Sequence, residues 1–260
     1  MTDQKERLDA LAERYNTPEF FIDDPISFPR RYSDPRDIEI SAFVTSVISW
    51  GRRPMILRNA ERIDALMWHE PLRFVLEGDI EGISDDNLHR TFFGRNLRFL
   101  LRGLRHIYGR YGSLENFAVA VGAPETEAPA WTLAEAVNKV LADENTNSPR
   151  PLEGPSRCLP DKCGDSALKR FNMALRWLVR DDGIVDLGVW KALRPSQLFI
   201  PLDVHSARTA RALGLLTRNA NDRRAVEELT AALRRFRPDD PTVYDFALFG
   251  AGEAGVITPG

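Results

Sequence analysis

Apolar residues recur at helical spacing along most of the chain, and no run alternates at the period of two that marks a strand. The stretch 37–50 is the plainest case. Ile38, Ile40, Phe43, Val44, Val47 and Ile48 make a wide apolar face, and Gly51 stops it. A second helix is expected from about Pro54, with proline in its first turn, to about Trp68. The polar stretch 1–7 opens another, and more are expected over 71–77, 95–111, 113–121 and 131–143. From Glu144 to Gly164 the periodicity lapses. Pro149, Pro151, Gly154, Pro155, Pro160 and Gly164 break any helix there, so a long loop is expected. Helices resume over 166–180, 187–193, 204–215, 222–236 and 242–251. The expected fold class is all-α. One helical module spans 1–260, with lobes near 37–143 and near 165–260 plus 1–36, the loop 144–164 between them and an active-site cleft between the lobes.

Length and composition narrow the class. A chain of 260 residues can bury about three quarters of its unfolded surface. No apolar run approaches the roughly 20 residues that span a membrane, and the N-terminus lacks the apolar centre of a signal peptide. A cytoplasmic protein is expected, nucleoid-associated when bound to DNA. The two cysteines, Cys158 and Cys163, are too few for a disulfide framework or a four-cysteine metal or iron–sulfur site. They read as free thiols in a loop; no metal and no cofactor is expected.

The net charge of −3 argues against a general nucleic-acid coat, but its distribution is uneven. Between Asp161 and Arg218 stand ten Lys/Arg against six acids. A locally basic segment on an acidic body fits an anionic ligand, and it equally fits solvated helix faces. Only five residues are lysine (Lys5, Lys139, Lys162, Lys169 and Lys191), so few amines are candidates for chemistry.

Two segments carry candidate chemistry. In 166–180, Leu168, Phe171, Leu175 and Leu178 form one buried stripe. Lys169, Asn172, Met173 and Arg176 form a second line beside it, with Lys169 one turn into the helix. Partial burial and a positive helix end both disfavour a charged amine, which is what a nucleophilic lysine needs. A lysine snorkelling from the helix edge has the same spacing. In 199–215, Asp203 stands directly before a helix and is a good N-cap, a role compatible with facing a site. Arg208 and Arg211 on that helix, with Arg176, could hold phosphates. His205 reads as a hydrogen-bonding histidine rather than a metal ligand.

The segment Leu202-Asp203-Val204-His205-Ser206-Ala207-Arg208 resembles the Val-Asp-x-His-x-x-Arg segment of the helix-hairpin-helix DNA glycosylase superfamily. Lys169-Arg170-Phe171-Asn172-Met173-Ala174 resembles the lysine helix of its archaeal 8-oxoguanine DNA glycosylase branch. The superfamily's Leu-Pro-Gly-Val-Gly hairpin is absent. The chain is also similar, over nearly its full length, to a bacterial conserved-hypothetical family of unknown function that shares the KRFNMALRWLVR, PLDVH and YDFALFG patterns. The glycosylase resemblance implies a two-lobed helical fold, with Lys169 as the amine that attacks the sugar C1′ and Asp203 as its acid–base and electrostatic partner.

In 239–250, Asp245 and Phe249 lie four apart on one helical face. An acid and an aromatic one turn apart suit a flipped purine, whose edge one bonds and whose ring the other stacks on. An aromatic in the core beside a surface acid is the plainer alternative. The resemblance implies the first. Met173 is also expected at the base, as is Trp50 at the end of the first buried helix, with His205 near the backbone. Trp177 and Trp190 read as core. The expected function is DNA base-excision repair: a glycosylase with β-elimination (AP lyase) activity on oxidised purines such as 8-oxoguanine. The expected partner is double-stranded DNA with a damaged base, bound by a monomer without a membrane. The alternatives are a non-catalytic helical DNA-binding protein and a helical enzyme on a small ligand with Asp203 and His205 as acid and base.

Overall fold

The computed structural model describes residues 2–146 and 148–253, so Met1 of the expected first helix and Asn147 of the expected loop lie outside the described residues. The described chain is helical: α1 (Thr2–Tyr15), α2 (Pro35–Val47), α3 (Arg53–Leu66), α4 (Pro71–Glu77), α5 (Gly94–Tyr111), α6 (Leu114–Ala120), α7 (Pro129–Thr146), α8 (Lys169–Val179), α9 (Val204–Ala212), α10 (Arg223–Arg234) and α11 (Tyr244–Glu253). An all-α fold is thus observed. Its small exception is an antiparallel pair, β1 (Asn87–His89) and β2 (Phe92–Phe93), too short to register as a period-2 pattern. No helix among the described residues is long and apolar enough to cross a membrane.

The chain divides into two compact units, one running Asp23–Cys163 and the other joining the segment that ends at Ile22 to the chain from Gly164 on. In the first, α5 packs against α7, and Leu97, Leu100, Leu101 and Leu104 of α5 and Leu133, Val137 and Leu141 of α7 are fully buried. Gly103 permits that approach, since a Cβ there would stand 2.2 Å from Leu141 Cδ2. Residues 23–36 belong with this unit rather than with the C-terminal half, because the short 3-10 turns Pro25–Ser27 and Pro29–Arg31 pack against α2.

In the second unit, α11 packs against both α1 and α9. Tyr15 of α1 lies so close under Gly250 that a Cβ there would meet its ring at 2.3 Å, and the Tyr244 hydroxyl donates to Asp9 Oδ1 at 2.7 Å. Helix α8 buries the expected stripe of Leu168, Phe171, Leu175 and Leu178. The helix expected over 187–193 is not there. The last carbonyls of a helix have no partner within it, and this segment supplies them: Leu187 N–H donates to Trp177 O and Trp190 N–H to Leu178 O, both at 2.8 Å. Gly188 makes the turn at φ +59, in close approach to Asp181. Trp177 and Trp190 are both buried, as expected.

Candidate active site

Helix α8 starts later than the pattern suggests. Leu168 adopts the left-handed conformation at φ 48, and its carbonyl accepts from Asn172 N–H at 2.8 Å. Lys169 is therefore the first helical residue, not one turn in. A cation in the first turn faces the positive end of its own helix, an unfavourable place unless something else holds it. Lys169 enters no ion pair among the described residues. The residue is half-buried, and its Nζ rests 3.4 Å from Met173 Sδ, a weak acceptor.

Asp203 caps α9. Its own backbone is extended, and Asp203 Oδ1 accepts from His205 N–H at 2.8 Å and Ser206 N–H at 2.9 Å. Both cap bonds use one oxygen, and Oδ2 accepts none among the described residues. Val204, His205 and Arg208 are exposed, and Arg208 enters no ion pair among the described residues, so the start of α9 is open surface.

Asp245 lies in the first turn of α11, 7% exposed, with one carboxylate oxygen bound by the Arg176 guanidinium. Burial pushes its carboxyl up to about 6. Arg176 opposes that rise, the charge of Asp203 adds to it and the Lys169 ammonium counters it. Coulomb effects of this kind act over short range in a partly desolvated setting. They put Lys169, Asp203 and Asp245 in one electrostatic neighbourhood, drawn from the starts of α8, α9 and α11. Phe249 shares the Asp245 face of α11 and is half-buried, its ring 6.4 Å from that of Phe20. Met173 is buried beside Lys169.

Arg176 is a correction. It is 3% exposed and cannot reach a phosphate. Its guanidinium bonds Asp245 and Asp186 and lies 4.4 Å from the Phe246 ring centroid. Arg180 extends the network to Asp186 at 2.5 Å, Asp240 at 2.9 Å and Asp182 at 3.1 Å. Arg176 thus positions Asp245. Arg211 is a second correction: it donates to Arg218 O, Asn219 O and Asn221 Oδ1, closing the loop after α9 rather than standing free for phosphate. Trp50 belongs to the Asp23–Cys163 unit, where its carbonyl accepts from His89 Nε2 at 2.8 Å.

The family described as a protein of unknown function (DUF2400) matches residues 24–254. The chain belongs to the DUF2400 family. No curated protein and no solved structure matches it.

Several features of this DUF2400 chain leave no mark on the order of its residues. The buried network of Arg176, Arg180, Asp186 and Asp240 was visible only as charges to be summed. Asn172 Oδ1 and Ser206 Oγ are buried without a hydrogen-bond partner among the described residues, one turn past Lys169 and Asp203 respectively. Spacing gives no sign of that. Among the described residues, Glu61, Asp64 and His69 are the grouping with metal-ligand chemistry. Arg31 already bridges Glu61 at 2.8 Å and Asp64 at 3.3 Å, and Tyr32 donates to Asp64 at 2.5 Å, so the cluster holds its cation in the form of a side chain.

Proposed function

We propose that this protein is a DNA base-excision glycosylase with AP lyase activity, acting on oxidised purines such as 8-oxoguanine. The observation that carries the reading is the grouping of an unpaired lysine with two carboxylates that each keep an oxygen outside any hydrogen bond among the described residues. The resemblance of the Lys169 and Asp203 segments to glycosylase motifs supports it.

In this reading the neutral Lys169 amine attacks C1′ of the damaged nucleotide. The C1′–N bond breaks, its electron pair leaves with the base, and the base takes a proton. Asp203 Oδ2 accepts the proton released by the attacking amine and stabilises positive charge developing on the sugar. The amine's electron pair then expels O4′ from C1′, O4′ takes up the proton held on Asp203, and the Schiff base so formed loses a proton from C2′, which expels the 3′ phosphate by β-elimination. Asp245 is mostly ionised at neutral pH and is then an acceptor only. That suits the N–H groups on the edge of a guanine-type base. Phe249 and Met173 supply stacking and apolar contact. The protein would work as a monomer in the cytoplasm, at the nucleoid when on DNA.

The test is borohydride trapping on duplex DNA carrying 8-oxoguanine. Wild type should form a covalent adduct and Lys169→Gln should not. An adduct that persists in Lys169→Gln moves the nucleophile elsewhere. Absence of adduct and of abasic product across several lesions sinks the enzymatic reading.

A further inference from the structure

Two of the arginines expected to hold the DNA backbone, Arg176 and Arg211, are engaged inside the fold. The other unit carries arginines in the opposite condition. Arg52 is the N-cap of α3, and Arg52, Met55, Asn59 and Arg62 follow at intervals of three, four and three, so they form one line along the helix. Arg58 borders that line. The β1–β2 hairpin lies alongside: Asn59 Nδ2 bonds His89 Nδ1 at 2.9 Å, and Arg62 donates to Asn87 O at 3.4 Å. At the hairpin tip Arg90 turns back over Gly51, where a Cβ would stand 2.9 Å from its Nη1 and 3.1 Å from Met55 Cε.

Arg52, Arg58, Arg62 and Arg90 are all exposed, and none enters an ion pair among the described residues. In the same unit Arg31, Arg36, Arg73, Arg98, Arg102 and Arg150 are all ion-paired. The acids near the line are engaged as well: Glu61 holds Arg31, and Asp86 accepts from Ser84. Arg58 and Arg62, four apart, repel one another. Arg90 holds its cation in the left-handed region at φ 51, which favours glycine or asparagine. Its carbonyl is fixed there by Asn87 Nδ2 at 2.5 Å. The positive end of α3 adds to the same field. Unneutralised forks along a ledge want an extended anion rather than a single small one. The line from Arg52 to Arg62 runs about 15 Å along the helix axis, a length over which a duplex presents about nine phosphates, both strands counted.

We propose that the Asp23–Cys163 unit grips the phosphate backbone of duplex DNA through Arg52, Arg58, Arg62 and Arg90. The choice of DNA as the polyanion rests on the glycosylase reading; the ledge itself does not.

The test is binding of an undamaged duplex by anisotropy as salt rises from about 0.05 to 0.3 M, a range over which phosphate contacts dominate the change. The double variant Arg52→Ala/Arg90→Asn should flatten the log–log salt slope by about 2 and weaken binding roughly tenfold per arginine near 0.1 M salt. The charge-matched control Arg224→Ala/Arg235→Ala should leave the slope unchanged. Arg90→Asn should melt no lower than wild type, because asparagine tolerates the left-handed turn. Equal slopes in the double variant and wild type would overturn the proposal. So would a wild type that ignores duplex but binds phosphatidylserine vesicles through these arginines. Borohydride trapping on the same samples separates the two readings. A slope difference without any adduct removes the glycosylase and leaves the grip, and normal trapping with unchanged slopes does the reverse.

Discussion

Replacing Asp245 with asparagine should make the protein more stable at neutral pH while damaging its proposed activity. The buried carboxyl is raised from its ordinary 3.8 to about 6, so the folded state holds its proton more tightly than the unfolded chain does. Such a group contributes stability that is fully present below 3.8, declines as pH rises, and is gone above about 6. The difference carries about 3 kcal/mol, at about 1.4 kcal/mol per pH unit. Asparagine keeps the shape and an acceptor for Arg176, and Arg176 keeps Asp186 as its counter-charge. Asp245→Asn therefore removes the ionisation penalty without orphaning the guanidinium. Urea unfolding of both proteins across pH 3.8 to about 6 and beyond isolates this group, because the other titrations are common to the pair. The variant should gain on wild type by about 3 kcal/mol across that window and hold the gain above it. A stability difference that stays flat through the window, or in which wild type gains as pH rises, would refute the reasoning.

Two further outcomes follow from the same groups. Asp203→Asn should leave stability within about 0.5 kcal/mol, since asparagine caps a helix as well as aspartate, whereas Asp203→Ala should cost about 1 kcal/mol; both should turn over far more slowly in a single-turnover excision assay if the charge on Oδ2 is what matters. Arg176→Ala should cost on the order of 3–5 kcal/mol in chemical denaturation, because it strips a counter-charge from buried Asp186 and Asp245 together. A loss under about 1 kcal/mol would mean that the network does not hold this unit.

What was legible in the sequence depended on local pattern. The stripe through Leu168, Phe171, Leu175 and Leu178 is buried as its spacing requires, and Asp203 caps α9 as its place before an apolar-periodic run requires. What failed depended on distant partners. Arg176 does lie on the helix line of Lys169, but the carboxylate that takes it inward is 69 positions away, on α11. The basic balance of 161–218 treated every charge as solvated, while Arg176 and Arg180 are buried in ion pairs and Arg211 braces a loop. The apolar residues of 187–193 satisfy helical spacing, yet their backbone is recruited by the open carbonyls of Trp177 and Leu178. Nothing in the order of residues reveals that Arg90 folds back over Gly51 beside the start of α3.

The pairing of α1 with α11 also sets an order of assembly. Tyr15 and Gly250 touch through a gap that admits no Cβ, although nearly the whole described chain separates them. On a ribosome, the Asp23–Cys163 unit has all its strands and helices available while α11 is still unmade. Helix α1 then waits with Leu8, Leu11 and Ala12 uncovered for on the order of ten to fifty seconds at ordinary elongation rates. The half of the protein that carries Lys169 is thus the last to close, and its first helix is the segment most in need of a chaperone during synthesis.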